Sequence, residues 1–404
     1  MRMTDTLRSV IRFRRVEADR VERRLARAAS VDDLRRIAKR RLPGGVFDYI
    51  DGGAEDERTL AANQAAFAAV TFRPRVLRGV EGIETASTLL GQPLAYPLVL
   101  APTGFTRIAD PEGELAVARA AARAGLPYTL STLSTRSIEE VRAASAGRLW
   151  FQVYAWRDRG LVKEMIDRAE ASRYEALVLT VDTAVLGRRE RDVRRGFSLP
   201  PTIGPRTIID GALHAGWTWS FVRSEPIRFA NVAGREVGDG ASPVTLSDYI
   251  NTQFDPALAW SDVEWLRSVW DGPIVLKGVQ TVDDAVIAAD AGVEAIALSN
   301  HGGRQLDGAP ATFSLVAPVA DAVGGRTEII CDGGVRRGSD IAKAVAAGAD
   351  ACMAGRAYLY ALGAAGERGV DRVLAWFGAD LIRTMSLLSI RGIDDLDREL
   401  IDIS

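Results

Sequence analysis

A nine-residue stretch, Ser299–Asp307 (SNHGGRQLD), places a histidine and an arginine three positions apart directly after an apolar run, residues 295–298. Histidine is the side chain that most often acts as a base near neutral pH, and His301 is one of only two histidines in the chain. Arg304 offers a planar guanidinium that suits a carboxylate. A base beside a carboxylate-binding group indicates oxidation or deprotonation of a small organic acid. Taken alone, the motif fits a structural histidine at a strand end equally well.

Eight apolar runs, each followed by a helical pattern, predict the fold that positions this motif. The runs are residues 97–101, 128–131, 149–154, 176–181, 273–277, 295–298, 328–331 and 351–354. Near-continuous apolar strands alternating with helices predict an α/β fold, a (β/α)8 TIM barrel with N-terminal helices and a long insertion, residues 183–260, after strand 4. A doubly wound open sheet is the alternative, and the regularity of eight units favours closure.

Composition excludes several classes of protein. The chain has 404 residues, 47% of them hydrophobic and 26% charged, which is typical of a soluble globular protein. A net charge of −2 gives no general attraction to nucleic acid. Two cysteines inside apolar segments provide neither a disulfide framework nor a metal cluster. Without an apolar run of roughly 18 residues to span a bilayer, a cytoplasmic location is expected.

The first residues form a separate basic segment. Residues 1–29 are rich in arginine and lack the apolar core of a secretory signal. A loose helical spacing joins the apolar residues Ile11, Phe13, Val16, Val21 and Leu25. We expect an arm that packs on a neighbouring subunit, with a surface helix for anionic lipid as the alternative. The barrel domain is expected over residues 30–404.

In such a barrel, ligands bind at the C-terminal ends of the strands. Five of the eight predicted ends carry an ionisable side chain, which a purely structural barrel does not need. These residues are Asp182, Lys277, His301 with Arg304, Asp332 with Arg336, and Arg356.

The same strand ends carry the groups that a phosphorylated cofactor needs. Glycines and arginines after strands 7 and 8, where this fold usually binds phosphate, are Gly333, Gly334, Arg336, Gly355 and Arg356. Polar side chains suited to the edge of a flat ring are Ser131, Gln152 and Thr180. Lys277 lies where a cation would stabilise negative charge on that ring. A ring tethered by phosphate and tuned by a lysine indicates flavin mononucleotide, FMN.

From about Ser30 to the C-terminus, the chain resembles the FMN-dependent L-2-hydroxyacid dehydrogenases and oxidases, which include glycolate oxidase, flavocytochrome b2, and bacterial L-lactate and mandelate dehydrogenases. The residues that carry the resemblance are Ser299–Asp307, 42–49, 53–56, 101–103 and 186–190. In the insertion, residues 210–214 with Trp217 are similar to the mandelate branch, whereas residues 248–250 with 254–256 are similar to the lactate branch.

The resemblance implies a role for each candidate residue. His301 would accept a substrate proton, and Asp182 would bind and stabilise its imidazolium. The substrate carboxylate and hydroxyl would be held by Arg304, Arg189, Tyr49 and Tyr154. The FMN-binding residues would be Pro102, Thr103, Gly104, Ser131, Gln152, Thr180, Lys277, Ser299, Asp332, Gly334, Arg336, Gly355 and Arg356. The resemblance also implies a homotetramer.

Several of these residues have a purely structural alternative. Tyr49 fits a core aromatic of a short helix, and Arg189 fits a solvated run of charges. His214 lies among aromatic residues of the insertion and is interpreted as non-catalytic. Gly104 stands where many oxidases of the family have alanine, which weakens a pure oxidase interpretation. Leu133 replaces a bulky aromatic of glycolate oxidase and leaves room for a larger substrate.

These observations predict an enzyme that oxidises an L-2-hydroxy acid to the 2-oxo acid with FMN. L-lactate is the first candidate and mandelate the second. The residues leave open whether the substrate loses hydride directly or passes through a carbanion. The alternative classes are an oxygen-using oxidase, a non-catalytic FMN-binding barrel and an FMN-dependent isomerase. Because the sequence in hand shows no haem domain beside the barrel, flavocytochrome b2 itself is not expected.

The long insertion admits two interpretations. It contains Leu213, Trp217, Trp219, Phe221 and Val222, with two arginines just beyond. A lid that packs on its own barrel or on a neighbouring subunit is the first. Docking on the inner face of the cytoplasmic membrane, where reduced FMN passes electrons to a quinone, is the second.

Overall fold

The structure, a computed structural model, describes residues 17–195, 204–232 and 252–403. Helices and short strands come before the barrel. These are α1 (Arg20–Leu25), α2 (Val31–Arg41), α3 (Gly44–Asp51), α4 (Arg58–Ala69), β1 (Thr71–Phe72), β2 (Ser87–Leu89) and β3 (Gln92–Leu94). Ser30 is the N-cap of α2, because its hydroxyl accepts a hydrogen bond from the Asp33 backbone N–H at 3.2 Å.

Eight parallel strands close into a barrel in chain order, which confirms the predicted fold. They are β4 (Leu98–Leu100), β5 (Tyr128–Ser131), β6 (Leu149–Tyr154), β7 (Ala176–Thr180), β8 (Ile274–Val279), β9 (Ala295–Ser299), β10 (Glu328–Asp332) and β11 (Ala351–Ala354). Closure is made by β11, which pairs with β4 through Cys352 and Leu98. Strands β4 to β9 are buried throughout, as expected for a sheet covered on both faces.

Helices surround the barrel and also form the described part of the insertion. They are α5 (Gly113–Arg123), α6 (Ile138–Ala144), α7 (Arg159–Ala171), α8 (Glu190–Arg195), α9 (Pro205–Leu213), α10 (Ala215–Arg223), α11 (Ser261–Val269), α12 (Val282–Asp290), α13 (Phe313–Val323), α14 (Gly338–Ala347), α15 (Arg356–Ala365) and α16 (Glu367–Leu388). Near the C-terminus, β12 (Ile401–Asp402) pairs antiparallel with β1. In the regular strand–helix repeat, the helix that belongs to β7 is α11. Helices α8, α9 and α10 lie between β7 and α11 in the chain and interrupt the repeat after the C-terminal end of β7.

Apolar side chains inside the barrel form a cluster separate from the layer between strands and helices. Trp150, Val178, Ile330 and Met353 belong to this inner cluster and are buried. Leu89 and Leu94 of the β2–β3 hairpin belong to it as well. The hairpin therefore closes one end of the barrel and leaves the other end for ligands.

Two predicted features lie outside the described residues, namely the first part of the N-terminal arm, residues 1–16, and the lactate-like segment 248–250. Within the described ranges, no helix is both long enough and apolar enough to cross a bilayer.

One close helix contact generates a test of the packing. A Cβ at Gly338, the first residue of α14, would lie 2.2 Å from the Leu381 nitrogen of α16. We expect Gly338→Ala to lower the free energy of unfolding by about 1–3 kcal/mol, because the helices must move apart. Gly216→Ala in α10, with nothing within 4 Å of its Cβ, is the control and should change it by less than about 1 kcal/mol. Urea unfolding followed by circular dichroism measures both; equal stability of the two variants would contradict the contact.

Candidate active site

The predicted base and its predicted partner meet at the open end of the barrel. His301 follows β9, and its Nδ1 lies 3.2 Å from Oδ1 of Asp182, which follows β7. The Asp182 side chain is 2% exposed and the His301 side chain 28% exposed. Because Nδ1 binds the carboxylate, Nε2 is the ring nitrogen left for proton transfer.

The charge of Asp182 is suited to stabilise an imidazolium. Burial raises the pKa of this carboxyl, but the neighbouring His301 and Lys277 outweigh burial, and its pKa is lowered overall. The carboxylate therefore stays ionised at neutral pH. Its second oxygen, Oδ2, is buried without a hydrogen-bond partner among the described residues.

The backbone around His301 takes a conformation that favours glycine. Residues His301, Gly302 and Gly303 have φ angles of +57°, +65° and +75°. A Cβ at Gly303 would lie 2.6 Å from the Leu60 nitrogen, so a side chain is excluded there. The amides of Asn63 and Asn300 exchange two hydrogen bonds of 2.8 Å, which tie this turn to α4.

Arg304 is held by the N-terminal helices. Its Nη1 donates to the carbonyl oxygens of Tyr49 at 2.7 Å and Gly52 at 3.0 Å. Its guanidinium lies 5.0 Å from the Tyr49 ring centroid, and that of Arg189 lies 5.5 Å from the same ring. Burial and the nearby Arg189 lower the pKa of Arg304 to about 9, so it remains charged at neutral pH. Two cations around one tyrosine form a candidate carboxylate-binding surface.

Tyr154 lies at the end of β6 among aromatic rings. It stacks on Trp156 with 6.2 Å between centroids and meets Phe254 edge-on at 5.2 Å. Burial raises the pKa of the Tyr154 phenol, so the group stays protonated and can donate a hydrogen bond.

Lys277, Ser299 and Asp332 form a buried polar network across β8, β9 and β10. The Lys277 ammonium lies 2.7 Å from Oδ2 of Asp332 and donates to the Ser299 hydroxyl at 2.8 Å. The Ser299 hydroxyl in turn donates to Asp332 at 2.6 Å. A buried lysine is costly unless it is paired, and this network fixes its ammonium at the barrel mouth.

The Gln152 amide is oriented by its neighbours. Its Oε1 accepts hydrogen bonds from the Ser131 hydroxyl at 3.1 Å and from the Thr132 N–H at 3.3 Å. Its Nε2 is buried without a hydrogen-bond partner among the described residues. A buried donor without a partner at a cavity wall indicates a ligand that accepts a hydrogen bond there.

The predicted phosphate-binding end contains a close backbone approach. Gly334 has a φ of +86°, and a Cβ at this residue would lie 2.3 Å from the Asn63 carbonyl oxygen. Gly355 has a negative φ of −110°, so its conformation does not require glycine. Arg356 donates to the carbonyl oxygens of Ile50, Gly52 and Gly302 at 2.7–3.1 Å. Arg356 therefore also ties α3 to the loop after β9, which its sequence position did not predict.

One cavity joins most of the predicted site. All the predicted residues line it except Asp182 and Ser299, which lie behind its wall and hold His301 and Lys277. Residues that sequence reasoning missed on this wall are Thr183, Leu186, Phe254, Gln305, Val335, Met353 and Leu359. His214 does not line it and contacts Asp210 instead, in agreement with a non-catalytic interpretation.

A charged network beneath the carboxylate-binding surface was also missed. Asp51 at the end of α3 accepts from Arg35 at 2.7 Å, from Arg191 at 2.8 Å and from the Tyr360 hydroxyl at 2.7 Å. Burial raises the pKa of Asp51, but these donors outweigh burial and lower it to about 2. The network fixes α3, which carries Tyr49, against α8. No local pattern signals it, because its members come from distant parts of the chain.

Comparison with known proteins agrees with this geometry. The family described as FMN-dependent dehydrogenase matches residues 38–403. A relative from Mycobacterium tuberculosis, provisionally named an L-lactate dehydrogenase, is 46% identical over 96% of this chain and 93% of its own. The L-lactate dehydrogenase of Caulobacter vibrioides is 42% identical over 92% and 97%. Among solved structures, the monotopic membrane protein (S)-mandelate dehydrogenase is similar, with a TM-score of 0.89 and 37% identity, over 93% of this chain and 99% of that chain.

The site fits FMN on observations of its own. The unpartnered Gln152 Nε2 and the fixed Lys277 ammonium suit the acceptors of an electron-poor ring. The Gly334 turn and Arg336, on the same cavity wall, suit a phosphate. Arg304, Arg189 and His301 leave a separate part of the cavity for an acid.

The Arg304 geometry generates a test. We expect Arg304→Lys to raise the dissociation constant of a 2-hydroxy acid at least tenfold. A lysine ammonium cannot replace a planar guanidinium that is oriented by hydrogen bonds to two carbonyl oxygens. The visible spectrum of bound FMN should not change. Arg188→Lys, at an exposed arginine off the cavity wall, is the control and should leave affinity unchanged. Anaerobic equilibrium titration of the flavin spectrum measures affinity; an unchanged constant for Arg304→Lys would place the carboxylate elsewhere.

Proposed function

Because this chain belongs to the FMN-dependent dehydrogenase family and is an FMN-dependent oxidoreductase of 2-hydroxy acids, we propose that L-lactate is its substrate and pyruvate its product. The names of its relatives, 40–46% identical and called L-lactate dehydrogenases, favour lactate. The observation that carries the proposal is the half-buried His301, paired with the buried Asp182, beside Arg304 and Arg189 in one cavity.

FMN would be held by residues of the same cavity. Its phosphate would lie against Gly334 and Arg336, with Gly355 and Arg356 near it, and its ring against Gln152 and the turn of residues 102–104. Ser131 and Thr180 would border the ring, while Lys277, Ser299 and Asp332 would set the charge beside it. When bound, FMN accepts the two electrons that leave the substrate.

The chain's own residues would orient the acid and take its proton. Arg304 and Arg189 would bind the carboxylate, with Tyr49 and Tyr154 fixing the carboxylate and hydroxyl. Nε2 of His301 would accept the proton that leaves the substrate. The ionised Asp182 stabilises the resulting imidazolium through Nδ1. This assignment holds whether the proton comes from the hydroxyl or from the adjacent carbon.

Rapid mixing without oxygen tests this proposal. L-lactate should bleach the visible absorbance of the FMN enzyme within a turnover, which a non-catalytic FMN-binding barrel or an isomerase would not show. His301→Gln should retain FMN and bind lactate, while reduction slows about 10²–10⁴-fold, the usual contribution of a general base.

His214→Gln is the matched control, since it changes the other histidine of the chain, and it should reduce at the wild-type rate. Near wild-type reduction in His301→Gln would show that His301 is not the base. Absence of bleaching by any 2-hydroxy acid in the wild type would contradict the proposal as a whole.

Mandelate is the second candidate, and specific contacts favour it. Leu133 and Gly104 both line the cavity and carry no aromatic ring, which leaves room there for a phenyl group. Phe254 adds an aromatic edge to the same wall. Mandelate dehydrogenase and mandelate oxidase are also structural neighbours. The ratio of kcat/KM for L-lactate and (S)-mandelate decides between the two acids.

The insertion supports a peripheral membrane contact on the inner face of the cytoplasmic membrane. Exposed apolar side chains on α9 and α10 are Ile208, Ile209, Leu213, Trp219 and Val222, each more than 60% exposed. Arg223 lies over the Trp219 ring at 3.9 Å, an arrangement suited to a lipid interface. On the other side of α10, Trp217 donates to the Ile108 carbonyl at 2.7 Å, which anchors the helix to the barrel.

We infer that this surface binds anionic lipid and brings reduced FMN to a quinone, with oxygen as the alternative acceptor. The monotopic mandelate dehydrogenase among its structural neighbours is consistent with such binding. Tetrameric assembly stays a prediction, which light scattering after size-exclusion chromatography measures.

The membrane contact generates a further test. Replacing Leu213, Trp219 and Val222 by aspartate should weaken binding to phosphatidylglycerol vesicles at least tenfold, because apolar area and a favourable charge balance are lost. Ile287→Asp, on the barrel helix α12, is the control at another exposed apolar residue. Flavin reduction by substrate should change less than twofold in both variants. If the wild type fails to sediment with vesicles at low salt and oxygen reoxidises it as fast as quinone, the segment is a lid.

A further inference from the structure

A second cavity lies apart from the catalytic one, between the start of α2, the loop before α14 and the outer helix α16. Its wall contains four arginines, Arg336, Arg337, Arg372 and Arg383, with one tryptophan, Trp376. Asp380 is the one acidic side chain on this wall within the described residues. Of this set, only Arg336 also lines the catalytic cavity, where it is assigned to the FMN phosphate.

The arginines are not all neutralised. Arg383 lies 2.5 Å from Asp380, and Arg372 lies 3.2 Å from Glu22. The side chains of Arg336 and Arg337 form no ion pair in the described part of the chain. The Arg336 Nη1 donates a hydrogen bond of 2.8 Å to the carbonyl oxygen of the preceding residue, Val335.

The nearby Asp340 offsets only part of this positive charge, because its carboxylate attracts Arg336 but forms no ion pair with Arg336 or Arg337 in the described part of the chain. One of its oxygens accepts from the backbone N–H groups of Arg336 and Arg337, at 2.8 and 2.9 Å, and so caps α14. The Asp340 carboxylate therefore stabilises the N-terminal end of α14. Several guanidinium groups around one cavity repel each other, and an anion between them would relieve that repulsion.

The shape and chemistry of the wall indicate which anion fits. Guanidinium groups bind the oxygens of phosphate in pairs, more specifically than ammonium groups do. The helices α2 and α14 both begin at this wall, so their dipoles add positive potential. Trp376 supplies a flat apolar surface beside the charges, suited to an organic group attached to the phosphate.

We propose that this cavity binds the phosphoryl group of a small ligand, at a site separate from that of the FMN phosphate. The phosphoryl group comes from a free phosphate compound or from a lipid headgroup. Because Arg336 lines both cavities, the two anions share one cation between them. The inference does not depend on which 2-hydroxy acid is oxidised.

Calorimetric titration of the FMN-loaded enzyme with inorganic phosphate, at constant ionic strength in chloride, tests the proposal. One saturable site per chain is expected. Arg337→Gln should weaken it about tenfold or more, since a charge-assisted contact is lost. Arg372→Gln provides a second variant with the same expectation if the first does not fold. Arg40→Gln, at an exposed arginine outside the cavity, is the control and should bind phosphate as the wild type does.

The flavin absorbance is recorded during each titration. Absence of saturable binding, equal affinity in Arg337→Gln and the wild type, or binding only as FMN dissociates would overturn the proposal. Sedimentation with phosphatidylglycerol vesicles identifies the source of the phosphoryl group. A loss of sedimentation in Arg337→Gln supports a lipid headgroup, whereas weakened phosphate binding alone supports a soluble ligand. Flavin reduction by L-lactate is measured separately, so failure here is distinguishable from failure of the proposed function.

Discussion

The contact between Asp182 and His301 joins side chains from two strands that are not neighbours in the barrel. Asp182 follows β7 and His301 follows β9, and β8 lies between them in the barrel. The crossing occurs at Gly278, where a Cβ would lie 2.9 Å from Asp182 Cβ. Gly278 has a φ of +114°, and the register between β8 and β9 shifts at this point. A glycine bulge in β8 is therefore the local feature that lets a buried carboxylate reach the imidazole.

The rest of the site balances charge around this pair. Lys277 is neutralised by Asp332, and Asp182 is stabilised by both His301 and Lys277. Arg304 is different, because its side chain donates hydrogen bonds to the carbonyl oxygens of Tyr49 and Gly52 and its neighbour Arg189 is also a cation. Asp192 lies 3.8 Å from Arg189 and attracts both arginines, but it supplies one carboxylate for two cations. An excess of partly buried positive charge costs free energy in the free enzyme. The carboxylate of a bound 2-hydroxy acid would supply the missing negative charge. Substrate binding and proton transfer would therefore both depend on how charges are balanced in this cavity.

The strands and most of the cavity wall were predicted from the sequence, because the ligand-binding side chains of a closed barrel lie together at the C-terminal ends of its strands. His301, Arg304, Lys277 and Gln152 follow directly from that rule. The Asp51 network could not be predicted, since it depends on α3, α8 and α15 coming together. The two faces of α10 could have been predicted from the sequence, because Trp217 and Trp219 are two residues apart and point to opposite sides of a helix.

A double-mutant cycle tests the central claim, that Asp182 acts through His301, most directly. It compares rates of anaerobic flavin reduction by saturating L-lactate in wild type, Asp182→Asn, His301→Gln and the double variant. If the carboxylate works only by stabilising the imidazolium, the double variant should be no slower than His301→Gln, and the effects should be strongly non-additive. Additive losses, or a wild-type rate in Asp182→Asn, would contradict the account.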